Sequence, residues 1–160
     1  MSLIRIETDT RGVATLTLAR PEKHNALSGE MIVEITQAAI ALGADPAVRV
    51  VILAADGPTF CAGGDLGWMR AQVDATHDVR VVEARKLATM LQTLNTLPKP
   101  LIGRVQGNAL GGGVGMACVC DIAISVETAK FGLTETKLGL IPATIGPYVV
   151  ARMGEGKARR

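Results

Sequence analysis

Aromatic residues are scarce in this sequence, which contains two Phe, one Tyr and one Trp among 160 residues. So few rings do not form the stacking surfaces on which single-stranded nucleic acids bind. An excess of one charge is also missing, because 17 Lys and Arg oppose 15 Asp and Glu, giving a net charge of +2. The basic run at 157–160 is too short to indicate nucleic acid, and no apolar run approaches the roughly 18 residues of a membrane span. We therefore expect a soluble protein whose partners include neither nucleic acid nor membrane.

Cysteine is also rare, with Cys61, Cys118 and Cys120 as the three examples. Residues 1–7 lack a basic region followed by a long apolar stretch, so we expect no secretory signal and a cytoplasmic location. Cys118 and Cys120 have no second pair and no nearby His, which favours buried apolar side chains over metal ligands. Cys61 has no candidate base beside it, which argues against a nucleophile. No metal site is predicted.

What the sequence does have is 48% hydrophobic residues, enough for the core of one domain. Apolar runs and helical spacing alternate along the chain, with turn residues between them. Ser28 is placed to cap a helix that Gly43 would end, and Pro98 and Pro100 would close a longer one. Strands are predicted at 3–8, 13–18, 49–55, 101–105 and 122–126, and helices at 28–43, 78–97, from 114 onward and at 148–153. This alternation predicts an α/β fold.

The stretch RVQGNALGGGVGM at 104–116 carries glycines in a turn between a strand and a helix. A dinucleotide turn would require glycine in place of Met116, and a P-loop would require Lys followed by Ser or Thr. Two interpretations remain, a turn whose free N–H groups bind an oxyanion and a glycine-rich turn for helix packing. A second such turn, CAGGD, lies at 61–65. If their strands are parallel neighbours, the two turns could hold one oxygen, as stabilisation of an anion on a carbonyl requires.

Four motifs along the chain resemble the successive signatures of the crotonase, or enoyl-CoA hydratase and isomerase, superfamily. They are RPEKHNALS at 20–28, FCAGGDLGWM at 60–69, QGNALGGGVGMACVCDIAI at 106–124 and FGLTETKLGLIP at 131–142. The residues of these motifs are most similar to those of bacterial glutaconyl-CoA-type (methylglutaconyl-CoA) hydratases. The resemblance covers nearly the whole chain and implies a crotonase-like spiral of repeated ββα units. It also implies one core domain, residues 1–160, without the family's C-terminal helices.

The resemblance implies roles for particular residues. It places the oxyanion donors on the backbone N–H groups of Gly64 and Gly112, and an acid/base carboxylate on Glu135. It also implies a loop along which coenzyme A lies, with the turn after it; these positions are Lys23, His24, Ala26, Ala62, Asp65 and Leu66. Coenzyme A would enter as part of the substrate thioester, and no prosthetic group is implied.

Alternatives remain at these positions. Lys23 and His24 could belong to a solvated loop. Glu135 could be a surface carboxylate paired with Lys137 or Lys130, since charged side chains are usually exposed. Its apolar flanks favour partial burial, as for a general base in a pocket. The family's other catalytic glutamate falls on Gly115, which is a departure from the pattern.

The expected function is hydration of an α,β-unsaturated acyl-CoA, the reaction of a hydro-lyase. Gly115 keeps double-bond isomerisation open, because a single carboxylate can move a proton between carbons. A protein that binds acyl-CoA without turnover is the alternative from another class. The resemblance further implies self-association as a trimer or hexamer. Fatty acid or branched-chain amino acid catabolism would be the setting.

Overall fold

Two strands followed by a helix form the repeating order of the chain. The computed structural model describes residues 2–159. The strands within this range are β1 (Ile4–Thr8), β2 (Val13–Leu18), β3 (Val50–Ala55), β4 (Thr59–Cys61), β5 (Leu101–Val105), β6 (Asn108–Leu110), β7 (Ile122–Ser125) and β8 (Phe131–Gly132). The α-helices there are α1 (Gly29–Ala44), α2 (Leu66–Val73), α3 (His77–Asn95), α4 (Gly112–Val119), α5 (Gly146–Met153) and α6 (Glu155–Ala158), and 3₁₀ helices span Pro21–Lys23 and Glu135–Leu138. The predicted α/β class and repeated ββα units are confirmed.

The strands form two sheets. The larger has the order β1-β2-β3-β5-β7, and the smaller has the order β4-β6-β8. β1 and β2 are antiparallel, whereas all other paired strands are parallel. Each later pair of successive strands is therefore divided between the sheets: β3, β5 and β7 lie in the larger sheet, and β4, β6 and β8 lie in the smaller one. Their connecting helices bring each new unit beside the previous one, as parallel pairing requires.

The predicted strands at 3–8 and 13–18 form a hairpin that turns at Asp9. The Asp9 carboxylate accepts hydrogen bonds from the N–H groups of Arg11 and Val13, at 2.9 and 3.0 Å. Gly12 has a φ of 79°, which a residue with a Cβ rarely adopts. The turn fixes the register that pairs Ile4 with Leu18.

Helix α1 begins where predicted but ends later. The Ser28 hydroxyl accepts a hydrogen bond from the N–H of Met31 at 3.3 Å, which is the N-cap interaction. The prediction that Gly43 ends the helix is wrong, since α1 continues to Ala44. A Cβ on Gly43 would lie 3.1 Å from Cδ of Pro98. Close packing against the segment after α3 therefore explains this glycine.

Helix α2, which follows the glycine turn at 61–65, is not among the predicted helices. None of its residues is buried, and with 8 residues it is shorter than the window of about 11 to 18 residues over which apolar periodicity predicts a helix. It is started instead by Asp65, whose carboxylate accepts hydrogen bonds from the N–H groups of Gly67 and Trp68. Thr76 caps α3, which begins at His77 and ends at Asn95, close to the predicted 78–97.

One core joins the larger sheet to helices α1, α3 and α4. Its fully buried large side chains include Leu16, Leu53, Ile35, Met90 and Leu101. No helix within residues 2–159 combines the length and apolar character that crossing a membrane demands.

Of the two cysteines predicted to be buried, Cys118 and Cys120, only Cys120 is fully buried. Cys61 and Cys120 are fully buried, whereas Cys118 is partly exposed, so its predicted burial is only partly correct. Burial raises the pKa of the Cys61 and Cys120 thiols to about 12. Both are therefore un-ionised near neutral pH, and Cys61 is unsuited to nucleophilic attack. The described residues contain no cluster of three or more His, Cys, Asp or Glu that could hold a metal ion.

Candidate active site

The smaller sheet brings three loops together. β4, β6 and β8 are parallel and adjacent, with Cys61 beside Ala109 and Ala109 beside Phe131. Because the carboxyl ends of parallel strands meet at one edge, the residues that follow each strand converge there. These are the turn at 62–65, the turn at 111–113 and the segment at 133–135. The two predicted glycine turns are thus neighbours, which is the condition for both turns to hold one oxygen.

Glycine is needed where these turns approach each other. Gly63 has a φ of 95°, and a Cβ there would lie 3.1 Å from the carbonyl oxygen of Leu110. A Cβ on Gly113 would lie 2.7 Å from the carbonyl oxygen of Cys61. Backbone cannot yield easily at such distances, so both positions exclude larger residues. The glycines serve close packing as well as the exposure of N–H groups.

Two N–H groups are left unpaired at this junction. Within residues 2–159, neither Gly64 nor Gly112 donates its N–H to another backbone group. Gly112 is the first residue of α4, where an N–H has no partner inside the helix. Both glycines line the same cavity. Two residues with unpaired backbone N–H groups therefore line one cavity.

Glu135 lies beside these donors. Its side chain is half-buried, as the apolar flanks predict. Oε2 is buried and has no hydrogen-bond partner among the described residues, while Oε1 lies 3.0 Å from the position of a Cβ on Gly111. A buried carboxylate oxygen without a partner is costly, so Glu135 keeps one oxygen whose hydrogen-bonding capacity no described residue satisfies. The alternative ion pair with Lys137 or Lys130 does not occur among the salt bridges of residues 2–159.

The cavity has a volume of about 150 Å³. Its lining is mostly apolar, and Glu135 is its one titratable residue in the described part of the chain. The lining residues are Leu27, Gly64, Trp68, Met69, Leu87, Gly112, Glu135, Ile141, Pro142, Ala143, Thr144 and Ile145. Trp68 and Met69 belong to the motif at 60–69, and Leu27 belongs to the motif at 20–28. Leu87 and the segment at 143–145 lie outside the four motifs, and their sequences carry no local signal of a site.

Gly115 lies in α4, three residues after Gly112, and is buried. A Cβ there would lie 2.7 Å from Cγ2 and 3.1 Å from Cβ of Ile145, and 3.5 Å from Cδ2 of Leu91. The space that a side chain at 115 would need is therefore filled by Ile145, which is itself 3% exposed. The departure at Gly115 is thus matched by a bulky apolar residue from a distant part of the chain.

This packing gives a prediction about stability. Gly115→Ala should lower the free energy of unfolding by about 1–3 kcal/mol, because the added methyl overpacks the contact with Ile145. Urea unfolding measures the change. Gly146→Ala is the matched control, since a Cβ there meets nothing within 4 Å. The double change Gly115→Ala, Ile145→Ala should show favourable coupling, whereas simple additivity of the two losses would contradict the contact.

The loop at 20–28 is held against the first turn by backbone hydrogen bonds. The N–H of Ala62 donates to the carbonyl of His24 at 3.0 Å, and the N–H of Leu27 donates to that of Gly63 at 2.8 Å. The Asn25 side chain is buried and donates to the carbonyls of Asp56 and Thr59. Sequence reasoning missed Asn25, whose position in a loop gave no sign of burial.

The predicted coenzyme A positions are thus brought together in part. Lys23, His24 and Ala26 lie on one loop next to Ala62, and His24 contacts Thr59 through Nδ1 at 3.1 Å. Lys23 and His24 are exposed, as a solvated loop would also be. Leu66 is 71% exposed at the start of α2. Leu66 and Ala62 line a second cavity, which shares Gly64 and Glu135 with the first.

Asp65 fixes the turn at 62–65 through the hydrogen bonds of its carboxylate. Its carboxylate caps α2 and accepts a hydrogen bond at 2.9 Å from Arg20, and both side chains are 18% exposed. The N–H of Trp68 and then the Arg20 guanidinium hold the pKa of Asp65 below its usual range. A carboxylate with a lowered folded-state pKa stabilises the fold above its unfolded-state pKa, and that stability is lost as the pH falls through the folded-state pKa.

Asp65→Asn should therefore lower the free energy of unfolding at pH 7 by roughly 1–3 kcal/mol, the range for a hydrogen bond to a charged group. Asn also caps helices, so the loss should report the pair with Arg20. Denaturation between pH 7 and pH 2 should give a shallower decline in stability for the variant than for the wild type. Parallel pH profiles would show that Asp65 contributes nothing through its charge.

Comparison with known proteins agrees with this architecture. Residues 8–160 match the family described as enoyl-CoA hydratase/isomerase. An enoyl-CoA hydratase structure from Shewanella pealeana superposes with a TM-score of 0.96 at 42% identity, covering 99% of this chain and 60% of that one. The chain belongs to the enoyl-CoA hydratase/isomerase family and has the crotonase fold.

Curated relatives have more than one activity in their names. The enoyl-CoA isomerase/hydratase fer4 of Mycosarcoma maydis is 39% identical over 152 residues, covering 89% of this chain and 54% of its own. Mouse mitochondrial methylglutaconyl-CoA hydratase is 37% identical over 148 residues, covering 92% of this chain and 46% of its own. The chain thus spans about half the length of these relatives.

Proposed function

We propose that this protein hydrates the double bond of an α,β-unsaturated acyl-CoA. One observation carries the proposal: Gly64 and Gly112, whose N–H groups are unpaired, and Glu135, which has a buried carboxylate oxygen without a partner, line a single cavity. Addition of water to such a thioester creates negative charge on the carbonyl oxygen and moves one proton. The cavity offers two donors for that charge and one base for that proton.

In this scheme the thioester oxygen lies between the N–H groups of Gly64 and Gly112. Glu135 removes a proton from water as the water oxygen bonds to Cβ, and the π electrons move through Cα to the carbonyl oxygen. The resulting enolate is stabilised by the two donors, and Glu135 returns the proton to Cα. The C–S bond stays intact, and one carboxylate is enough to balance the proton.

We assign the coenzyme A portion to the loop bearing Lys23, His24 and Ala26, together with Ala62. The hydrogen bond between Ala62 and His24 supports this, because it holds the loop beside the turn that bears Gly64. Lys23 offers a cation to the phosphates of the coenzyme. Asp65 and Leu66 maintain the turn and the start of α2. No prosthetic group enters the scheme.

Isomerisation of a 3-enoyl-CoA to a 2-enoyl-CoA is the second candidate. The specific observation in its favour is that Ile145, an apolar residue, fills the space at Gly115. One carboxylate could then remove a proton from one carbon and return it to another without water.

An absorbance assay separates the candidates. A hydratase should lower the absorbance of the conjugated thioester when given a 2-enoyl-CoA. An isomerase should raise it when given a 3-enoyl-CoA. Binding of either compound in a calorimeter with no absorbance change would instead support a protein that binds acyl-CoA without turnover.

We also propose that the chain self-associates as a trimer or hexamer. Edge strand β7 supports this, because Ile122 and Ile124 are 56% and 63% exposed there. Exposed apolar strands at a sheet edge favour pairing with another chain. Analytical ultracentrifugation should detect the assembly, and a monomer at all concentrations would contradict it.

A further inference from the structure

Polar side chains are few in the cavity that contains Glu135. Three of its lining side chains carry a nitrogen or oxygen, those of Trp68, Glu135 and Thr144. The indole N–H of Trp68 already donates to Oε2 of Glu83 at 2.9 Å. Of the lining side chains described, Thr144 is therefore the remaining one with a hydroxyl that could assist Glu135.

A second polar contact has a clear use in hydration. Water held through one hydrogen bond to a carboxylate can rotate about that bond, and its lone pair then points toward Cβ for only part of the time. A second hydrogen bond fixes the orientation, and correct orientation contributes strongly to rate. Residue 115, where the resemblance implies a second carboxylate, is a glycine covered by Ile145, so no side chain from that position supplies the contact.

The segment that carries Thr144 is well fixed. The N–H of Ala143 donates to the carbonyl of Ile141 at 2.8 Å, and the N–H of Gly146 donates to that of Pro142 at 2.7 Å. Ile145, the next residue, is buried against Gly115. Thr144 thus lies on a braced turn that enters α5, and such support is what a group that positions water needs.

We propose that the Thr144 hydroxyl is the second group that binds the reacting water. Its oxygen accepts one hydrogen of the water while Glu135 accepts the other. When the water oxygen bonds to Cβ, the proton facing Glu135 is transferred and later returned to Cα, and the proton facing Thr144 stays on the new hydroxyl group. Thr144 neither gains nor loses a proton. This inference rests on the proposed hydratase function.

The test compares Thr144→Val, which keeps the shape without the hydroxyl, with Thr144→Ser, which keeps the hydroxyl. Two reactions are followed in each protein: hydration of a 2-enoyl-CoA, and exchange of the Cα proton of a saturated acyl-CoA with D₂O. Exchange uses the oxyanion donors and Glu135 but no attacking water. We expect Thr144→Val to lower kcat for hydration about tenfold or more with little change in KM, and to leave exchange near the wild-type rate. Thr144→Ser should restore most of the hydration rate.

Each other outcome is decisive. If Thr144→Val hydrates at the wild-type rate, or loses hydration and exchange in equal measure, Thr144 does not orient water and the inference fails while the hydratase function stands. If Thr144→Ser is as slow as Thr144→Val, the hydroxyl is not the active feature. A wild type that does not hydrate any 2-enoyl-CoA would overturn the proposed function and this inference with it.

Discussion

Replacing Glu135 by Gln should lower kcat for the acyl-CoA reaction by roughly 10²- to 10⁴-fold, the contribution of a general acid or base. Gln keeps the size of the side chain but cannot take up a proton. The carboxylate lies in the cavity with one buried oxygen unpaired, so its loss should affect the chemical step more than binding. Steady-state kinetics with a 2-enoyl-CoA and a 3-enoyl-CoA give both parameters.

Glu127→Gln is the control for this change, because Glu127 is an exposed carboxylate outside the cavity lining. It should leave kcat and KM unchanged. If Glu135→Gln retains the wild-type kcat, the carboxylate has no role in proton transfer. If it raises KM alone, Glu135 contributes to binding but not to the chemistry.

The substitution Gly112→Pro should lower kcat by about 10²- to 10³-fold, the effect of losing one oxyanion donor. Gly112 is the first residue of α4, a position at which helices accept proline because its N–H is unpaired there. The preceding Gly111 has φ 49° and ψ −117°, an extended mirror-image conformation outside the α region that proline disfavours. The substitution therefore removes one N–H group and should preserve the backbone.

Gly112→Ala is the matched control, since it keeps the N–H and adds a Cβ at the same place. In both variants this atom would lie 2.8 Å from Cδ1 of Leu27, the end of a side chain that can move. The ratio of the two kcat values thus separates the effect at the backbone nitrogen, where proline replaces the N–H by its ring Cδ, from the effect of the added Cβ. Equal rates for proline and alanine would mean that the N–H of Gly112 does not contact the reacting oxygen.

The sequence predicted the larger sheet and the long helices, because their signals are local. Apolar runs identify β3 and β5, and a hydroxyl cap identifies α1. The sequence did not predict helix α2, because this helix begins at the cap that Asp65 provides and none of its residues is buried. The strands of the smaller sheet have two or three residues each, too few to form a periodic pattern. Only pairing with neighbours from distant parts of the chain defines them.

The candidate site also combines features that local motifs predict with features that only the fold defines. Its glycine turns and Glu135 were found through motifs, and their convergence depends on the parallel order of β4, β6 and β8. The relation between Gly115 and Ile145 could not be predicted, because the two residues are 30 positions apart and no sequence pattern links them. Sequence reasoning identified Gly115 as a missing carboxylate. The structure adds that an isoleucine fills its place.

The central claim is that one thioester oxygen receives hydrogen bonds from the N–H groups of Gly64 and Gly112. Infrared difference spectroscopy of the bound substrate, labelled with ¹³C at the thioester carbonyl, measures this directly. Two donors on the oxygen should move the carbonyl stretch to lower frequency than in water, and Gly112→Pro should reverse part of that shift while Gly112→Ala should not. A carbonyl frequency in the wild-type complex equal to that in water would contradict the account.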